Sequence, residues 1–176
     1  MKRSSSLLWG ALALGAVAGM RSMLAPTMTS RALAKHPDAN NADEPARTLA
    51  AQQTRYLLIP LAVGELVGDK LPFAPDRTIS ASMMVRAVSG GMTAAALASA
   101  RRQPILLPAL AGATAACVSA KVGASLRSRY GSFGPFTNAA LGITEDCLAL
   151  AIGSAGLQRA LGEMSGSGRE AHAYGV

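Results

Sequence analysis

The chain has 176 residues, half of them apolar, with 15% charged, 4% aromatic and a formal net charge of +7. Its mean hydropathy of +0.27 and its small charged fraction exclude the charged-surface recipe of an ordinary soluble domain. The positive balance does not point to nucleic acid, because Lys and Arg stand singly or in pairs between apolar runs, with no basic stripe and few rings for stacking. Bulk comes from Ala, Gly, Leu and Val, which suits helices packing backbone to backbone in a lipid bilayer. The composition predicts an all-α, polytopic membrane domain over residues 1–162 and a disordered Gly- and Ser-rich tail over 163–176.

The first predicted element runs from Leu7 to about Pro26, behind Lys2 and Arg3. A signal peptide has the same plan. A retained helix is favoured, because further apolar spans follow and Gly10, Gly15 and Gly19 lay out a small-residue packing face. Residues 27–55 carry Arg31, Lys35, His36, Asp38, Asp43, Glu44 and Arg47 with Pro37 and Pro45, and read as a polar excursion with a short surface helix near 44–53. The apolar run Tyr56 to Gly68 has 13 residues, fewer than the roughly 20 of a straight span, so it extends back towards Leu49 or is broken or re-entrant. A third segment covers Ile79 to Leu97 and is closed by Arg101 and Arg102. A fourth runs from Pro104 to about Leu126, and a fifth from about Phe136 to Leu157.

A weak repeat overlies these five segments. Ala18-x-x-Arg21-Ser22 followed by Leu61-x-x-x-Glu65 is matched by Ala124-x-x-Arg127-Ser128 followed by Leu141-x-x-x-Glu145. Counted in crossings the copies are offset by three, which predicts an inverted repeat of the kind found in transporters. Positive residues are nearly balanced between alternate loops of this plan, so the positive-inside rule leans only weakly to a cytoplasmic N-terminus.

The candidate functional residues are the charges inside apolar segments: Glu65, Asp69, Arg86, Lys121, Glu145 and Asp146. An Arg, Lys or Asp at a helix centre costs about 2.5–3.5 kcal/mol on insertion, so such residues face a bundle interior or a wet cavity and pair there. Glu65 with Arg86, and Glu145 with Lys121 or Arg127, are the expected pairs. Arg21 is expected to reach the headgroups from its helix end, and Arg127 and Arg129 to lie in an interfacial turn. The segment Tyr130-Gly-Ser-Phe-Gly-Pro-Phe-Thr-Asn138 ends in two good N-cap residues, Thr137 and Asn138. It is a capped surface loop or, with Arg21 and Arg127, an anion-binding turn. Cys117 and Cys147 read as buried free thiols. No HExxH, P-loop, GxSxG or dinucleotide turn is present, so no enzyme activity, cofactor or metal is expected.

Several short motifs occur in a telling order: Gly19-Met20-Arg21-Ser22, Asp69-Lys70-Leu71-Pro72, Arg86 with Ser89-Gly90, Ala120-Lys121, and Gly134-Pro135-Phe136-Thr137-Asn138 leading to Glu145-Asp146. In that order they resemble the small bacterial membrane protein family catalogued as domain of unknown function 4126, over about Gly10 to Gly156. The resemblance implies a membrane location and marks these signature residues; it implies no substrate. The combined expectation is a multi-pass protein of the bacterial inner membrane, forming a homodimer through its Gly and Ala faces. It is transporter-like or channel-like and handles an ion or small polar solute. The alternative is a non-transporting scaffold that binds a partner protein or lipid.

Overall fold

A computed structural model describes residues 2–36, 42–68, 80–130 and 135–173. Among these the chain is all helical, with α1 (Lys2–Met20), α2 (Leu24–Leu33), α3 (Ala46–Ala50), α4 (Gln52–Gly68), α5 (Ser80–Ala100), α6 (Leu106–Tyr130) and α7 (Pro135–Ala173). Proline placement fits this register. Pro26, Pro108 and Pro135 fall in the first turns of α2, α6 and α7, where a backbone N–H has no intrahelical partner, and Pro60 is interior to α4. Helix α5 stops in a Schellman turn: Arg102 N–H donates to Ser99 O at 2.9 Å and Gln103 N–H to Ala98 O at 3.0 Å. Arg102 takes the left-handed φ of 52° that such a stop requires.

Helix α1 is the axis of the assembly, with α5, α6 and α7 packed around it. Its glycines let them close in. A Cβ on Gly10 would meet Ala160 and Leu97, and one on Gly19 would meet Ser119 and Ala116; Gly90 and Gly112 bring α5 and α6 together in the same way. The direction of each helix follows from these contacts. Gly15 meets Gly112 and Gly19 meets Ala116, so α6 runs parallel to α1. Gly10 meets Ala160 while Arg21 reaches Asp146, so α7 is antiparallel. Arg101 at the end of α5 donates to Ser6 Oγ at 2.9 Å, and Arg86 reaches Gly19 O, so α5 is antiparallel too.

Replacing Gly15 by Ala is expected to push α1 and α6 apart. The new Cβ would stand 2.3 Å from the carbonyl oxygen of Gly112 and 2.8 Å from Ala115 Cβ, and backbone cannot swing aside as a side chain can. A loss of about 1–3 kcal/mol should appear in thermal unfolding of detergent-solubilised protein. Gly64→Ala, which meets nothing within 4 Å, should be neutral or slightly stabilising; equal shifts for the two would refute the packing.

Two helices, Leu106–Arg129 and Ala140–Gly162, are long and apolar enough to cross a membrane, and Ser4–Met20 is a shorter apolar helix. Large apolar side chains face outward on α4, α5, α6 and α7, among them Leu57, Met84, Leu106 and Leu148, a surface compatible with lipid.

The structure departs from the five-segment plan at its start. Helix α1 ends at Met20, not Pro26, and α2 folds back beside it: Met28 lies against the Gly153–Val17 contact, and Leu33 joins Leu7, Leu14 and Leu157 in one apolar cluster. Thr27, Thr29 and Ser30 are buried, so the polar excursion is confined to residues after α2. The charged residues and prolines that follow made this stretch look water-facing, yet its hydroxyls turn inward, Thr27 Oγ1 donating to Met23 O at 2.6 Å and Ser30 Oγ to Leu49 O at 2.5 Å.

The short helix expected near 44–53 is α3. Beside it Thr48 donates its hydroxyl and then its N–H to Glu44 Oε2, holding the Glu44 carboxyl below the usual glutamate range. Helices α1 and α6, which carry the two Arg-Ser ends, run the same way, so the offset of three crossings does not translate into inversion here. The Gly and Ala faces expected to join two copies serve contacts within the chain. Helix α7 continues to Ala173 through residues whose composition predicts disorder.

Candidate functional site at the helix break

Between α1 and α2 the chain turns through Arg21, Ser22 and Met23, leaving the last carbonyls of one helix and the first N–H groups of the next without intrahelical partners. Side chains from α4, α5 and α7 converge on this break. Glu65 of α4 takes the N-terminal end of α2: Ser22 donates its N–H at 2.7 Å and its hydroxyl at 2.8 Å to Oε1, and Met23 N–H donates to Oε2 at 2.8 Å. Arg86 of α5, only 5% exposed, takes the other end, donating from Nη1 to Gly19 O at 2.5 Å and Met20 O at 3.1 Å. Each charge opposes the partial charge of the helix end it meets, carboxylate on the positive N-terminus and guanidinium on the negative C-terminus. Ser89 Oγ donates to Ser22 O and fixes the turn between them.

Arg21 completes the centre. It is 2% exposed and donates from Nε to Asp146 Oδ1 of α7 at 2.7 Å. One turn further along α6, Arg127 donates from Nη2 to Glu145 Oε2 at 2.5 Å, with Gly123 leaving room beside that carboxylate. Adjacent residues on a helix point about 100° apart, which is why Glu145 and Asp146 serve two different neighbours. The parallel C-terminal ends of α1 and α6 are thus held by one acidic pair on α7.

The expected residues therefore sort unevenly. Glu145 pairs with Arg127 as anticipated. Glu65 and Arg86 do not pair with each other, because the free helix ends between them bind each more directly. Arg21 is buried, not snorkelled, since the chain reverses immediately after it and carries it inward. Lys121 is exposed on the outward face of α6, beside exposed Val118 and Val122, and lines no interior site. Thr137 and Asn138 lie inside the first turn of α7, past the N-cap position, with side chains outside the described residues; Asp69 lies wholly outside them. Arg21 and Arg127 each face a carboxylate, and residues 131–134 of the turn expected beside them lie outside the described residues. Cys117 and Cys147 are free thiols, but neither is buried as expected: Cys117 is half-buried and Cys147 exposed.

Sequence reasoning missed the backbone groups of Gly19, Met20, Ser22 and Met23 as the partners. The signal was the Arg-Ser pair after a small-residue helix. Among the described residues no three His, Cys, Asp or Glu side chains gather into a metal set.

Fold and site together define a class: among the described residues, an all-helical protein with many apolar side chains on its surface, whose first two helices form a hairpin that turns back in the interior and is held at the turn by opposed charges. The chain belongs to the family described as Domain of unknown function (DUF4126), whose sequence pattern matches residues 8–159. No curated protein and no solved structure is similar enough to match.

Proposed function

We propose that this is a multi-pass inner-membrane protein in which the α1–α2 break handles an ion or small polar solute, in the manner of transporters built on discontinuous helices. The observation that carries the reading is the set of charges at the break: Arg21, Glu65, Arg86 and Asp146, two positive and two negative, from four separate elements. For Arg21 and Asp146 stability is a weak reason to be there, because a buried ion pair is commonly matched or bettered by apolar residues of the same volume. Interrupted helix ends offer N–H and C=O groups to a passing solute, and here Glu65 and Arg86 occupy those groups in its absence. A solute would take their place by competing for the same ends.

The α1–α2 reversal also re-sorts the basic residues. Arg31, Lys35, Arg47, Arg101 and Arg102 gather at the α1 N-terminal side, against Lys121, Arg127 and Arg129 towards the other, which supports a cytoplasmic N-terminus.

The test is ion and proton flux into liposomes carrying the purified protein beside an Arg21→Gln/Asp146→Asn variant, which keeps a hydrogen-bonding pair but removes both charges. Flux in the parent that falls at least tenfold in the folded variant is the expected result. A second reading, a non-transporting scaffold, is favoured by the ion pairs of Arg127 with Glu145 and Arg21 with Asp146. It predicts no flux for any cation or anion and full retention of partner or lipid binding in the same variant.

A further inference from the structure

A second site lies apart from the break, in a cleft of about 760 Å³ between α2 and the C-terminal half of α7. Its wall is apolar, formed by Leu24, Met28, Leu150 and Leu157, and its far end carries Arg31, Lys35 and His36 opposite Gln158. Arg31 and Lys35 are four residues apart at the end of α2, so they rise from one face. Both are exposed, and neither has an acidic partner among the described residues. Because α2 folds back along α1, this basic end sits on the same side of the molecule as Arg101 and Arg102.

We propose that the cleft binds an anionic diacyl phospholipid, its phosphate between Arg31 and Lys35 and an acyl chain along the Leu24–Met28–Leu157 wall. Charge and shape both select this occupant. Two cations with no acidic partner among the described residues call for an anion, and basic pockets between helices at a cytoplasmic face are sites for anionic headgroups. A free phosphate would leave the apolar wall uncovered, and a neutral lipid would leave the cations uncompensated. The volume lies within the range of small-molecule clefts. The inference rests on the membrane placement and is independent of whether anything crosses at the helix break.

The experiment titrates the full-length protein in neutral detergent with phosphatidylglycerol, phosphatidylcholine or glycerol phosphate, reading bound lipid by native mass spectrometry and the midpoint of thermal unfolding. Phosphatidylglycerol is expected to bind and raise the midpoint, with the other two much weaker. Arg31→Gln/Lys35→Gln should weaken that binding by about fivefold per charge, roughly twenty-five-fold for the pair, while Arg47→Gln/Arg102→Gln on the same side leaves it unchanged. Equal binding of phosphatidylcholine, or an equal loss in the control variant, would overturn the site. Glycerol phosphate reproducing the full shift would overturn the lipid and leave a simple anion pocket. Lipid binding without any ion flux would leave this site standing and remove ion transport at the helix break.

Discussion

Asp146→Ala is expected to lower stability by about 3 kcal/mol, at the lower end of the range for breaking a buried ion pair, because Asp146 is 19% exposed while Arg21 is 2% exposed. The loss takes the carboxylate away from a guanidinium that the fold holds inside, so the cost falls on Arg21 and not on the vacated position. Asp146→Asn keeps an acceptor at Oδ1 and should lose less than half as much. Exchanging the charges, Arg21→Asp with Asp146→Arg, should recover part of the stability lost by either single change. Thermal unfolding in detergent reads each variant beside the parent, and a pair of single variants whose effects simply add in the double would show that the two residues are not coupled.

Glu65→Ala comes second in size and differs in mechanism. The carboxylate accepts three hydrogen bonds at one helix start, and hydrogen bonds to a charged group contribute about 1.5–3 kcal/mol each; with partial access of water to the emptied space, a net loss of about 3 kcal/mol is expected. Glu65→Gln is informative because it is isosteric. Its amide keeps one acceptor but turns an NH2 towards a backbone donor, so it should lose more than half of what Ala loses. A Glu65→Ala midpoint no lower than that of Glu44→Ala, a change at an exposed site, would rule out the capping role. The contrast with Asp146 is diagnostic: exchanging Glu65 with Arg86 should rescue nothing, because the two groups meet backbone ends of opposite polarity and not each other.

The parts of the fold that were legible in the sequence are those written in long apolar runs. Helices α5, α6 and α7 stand where Ile79 to Leu97, Pro104 to Leu126 and Phe136 to Leu157 pointed, because roughly 20 apolar residues have few other ways to satisfy their backbone. The extension of the Tyr56 run back past Leu49 resolves into α3 and α4, the break at Ala51 and Gln52 being too local to read from composition. The α1–α2 reversal was illegible for a physical reason. Its turn contains no Gly or Pro, and its partners Glu65, Arg86 and Asp146 stand 43, 67 and 125 residues away from the groups they hold. Such a break is stabilised by the rest of the protein, so nothing local announces it. The charged residues themselves were legible because ionisable groups are anomalous inside apolar runs. Their partners were not, since charge invites pairing with charge, whereas a severed helix offers partial charges that leave no mark on the side-chain sequence.

The separation between Arg21 and Asp146 also orders events in time. At about 5–20 residues per second, the 125 residues between them take about 6 to 25 s to synthesise. Arg21 thus leaves the ribosome long before the carboxylate that receives it exists, and the first helical pair cannot reach its final state until the last helix is in place. During that interval the growing chain carries, without its final partner, a cation that the finished molecule buries.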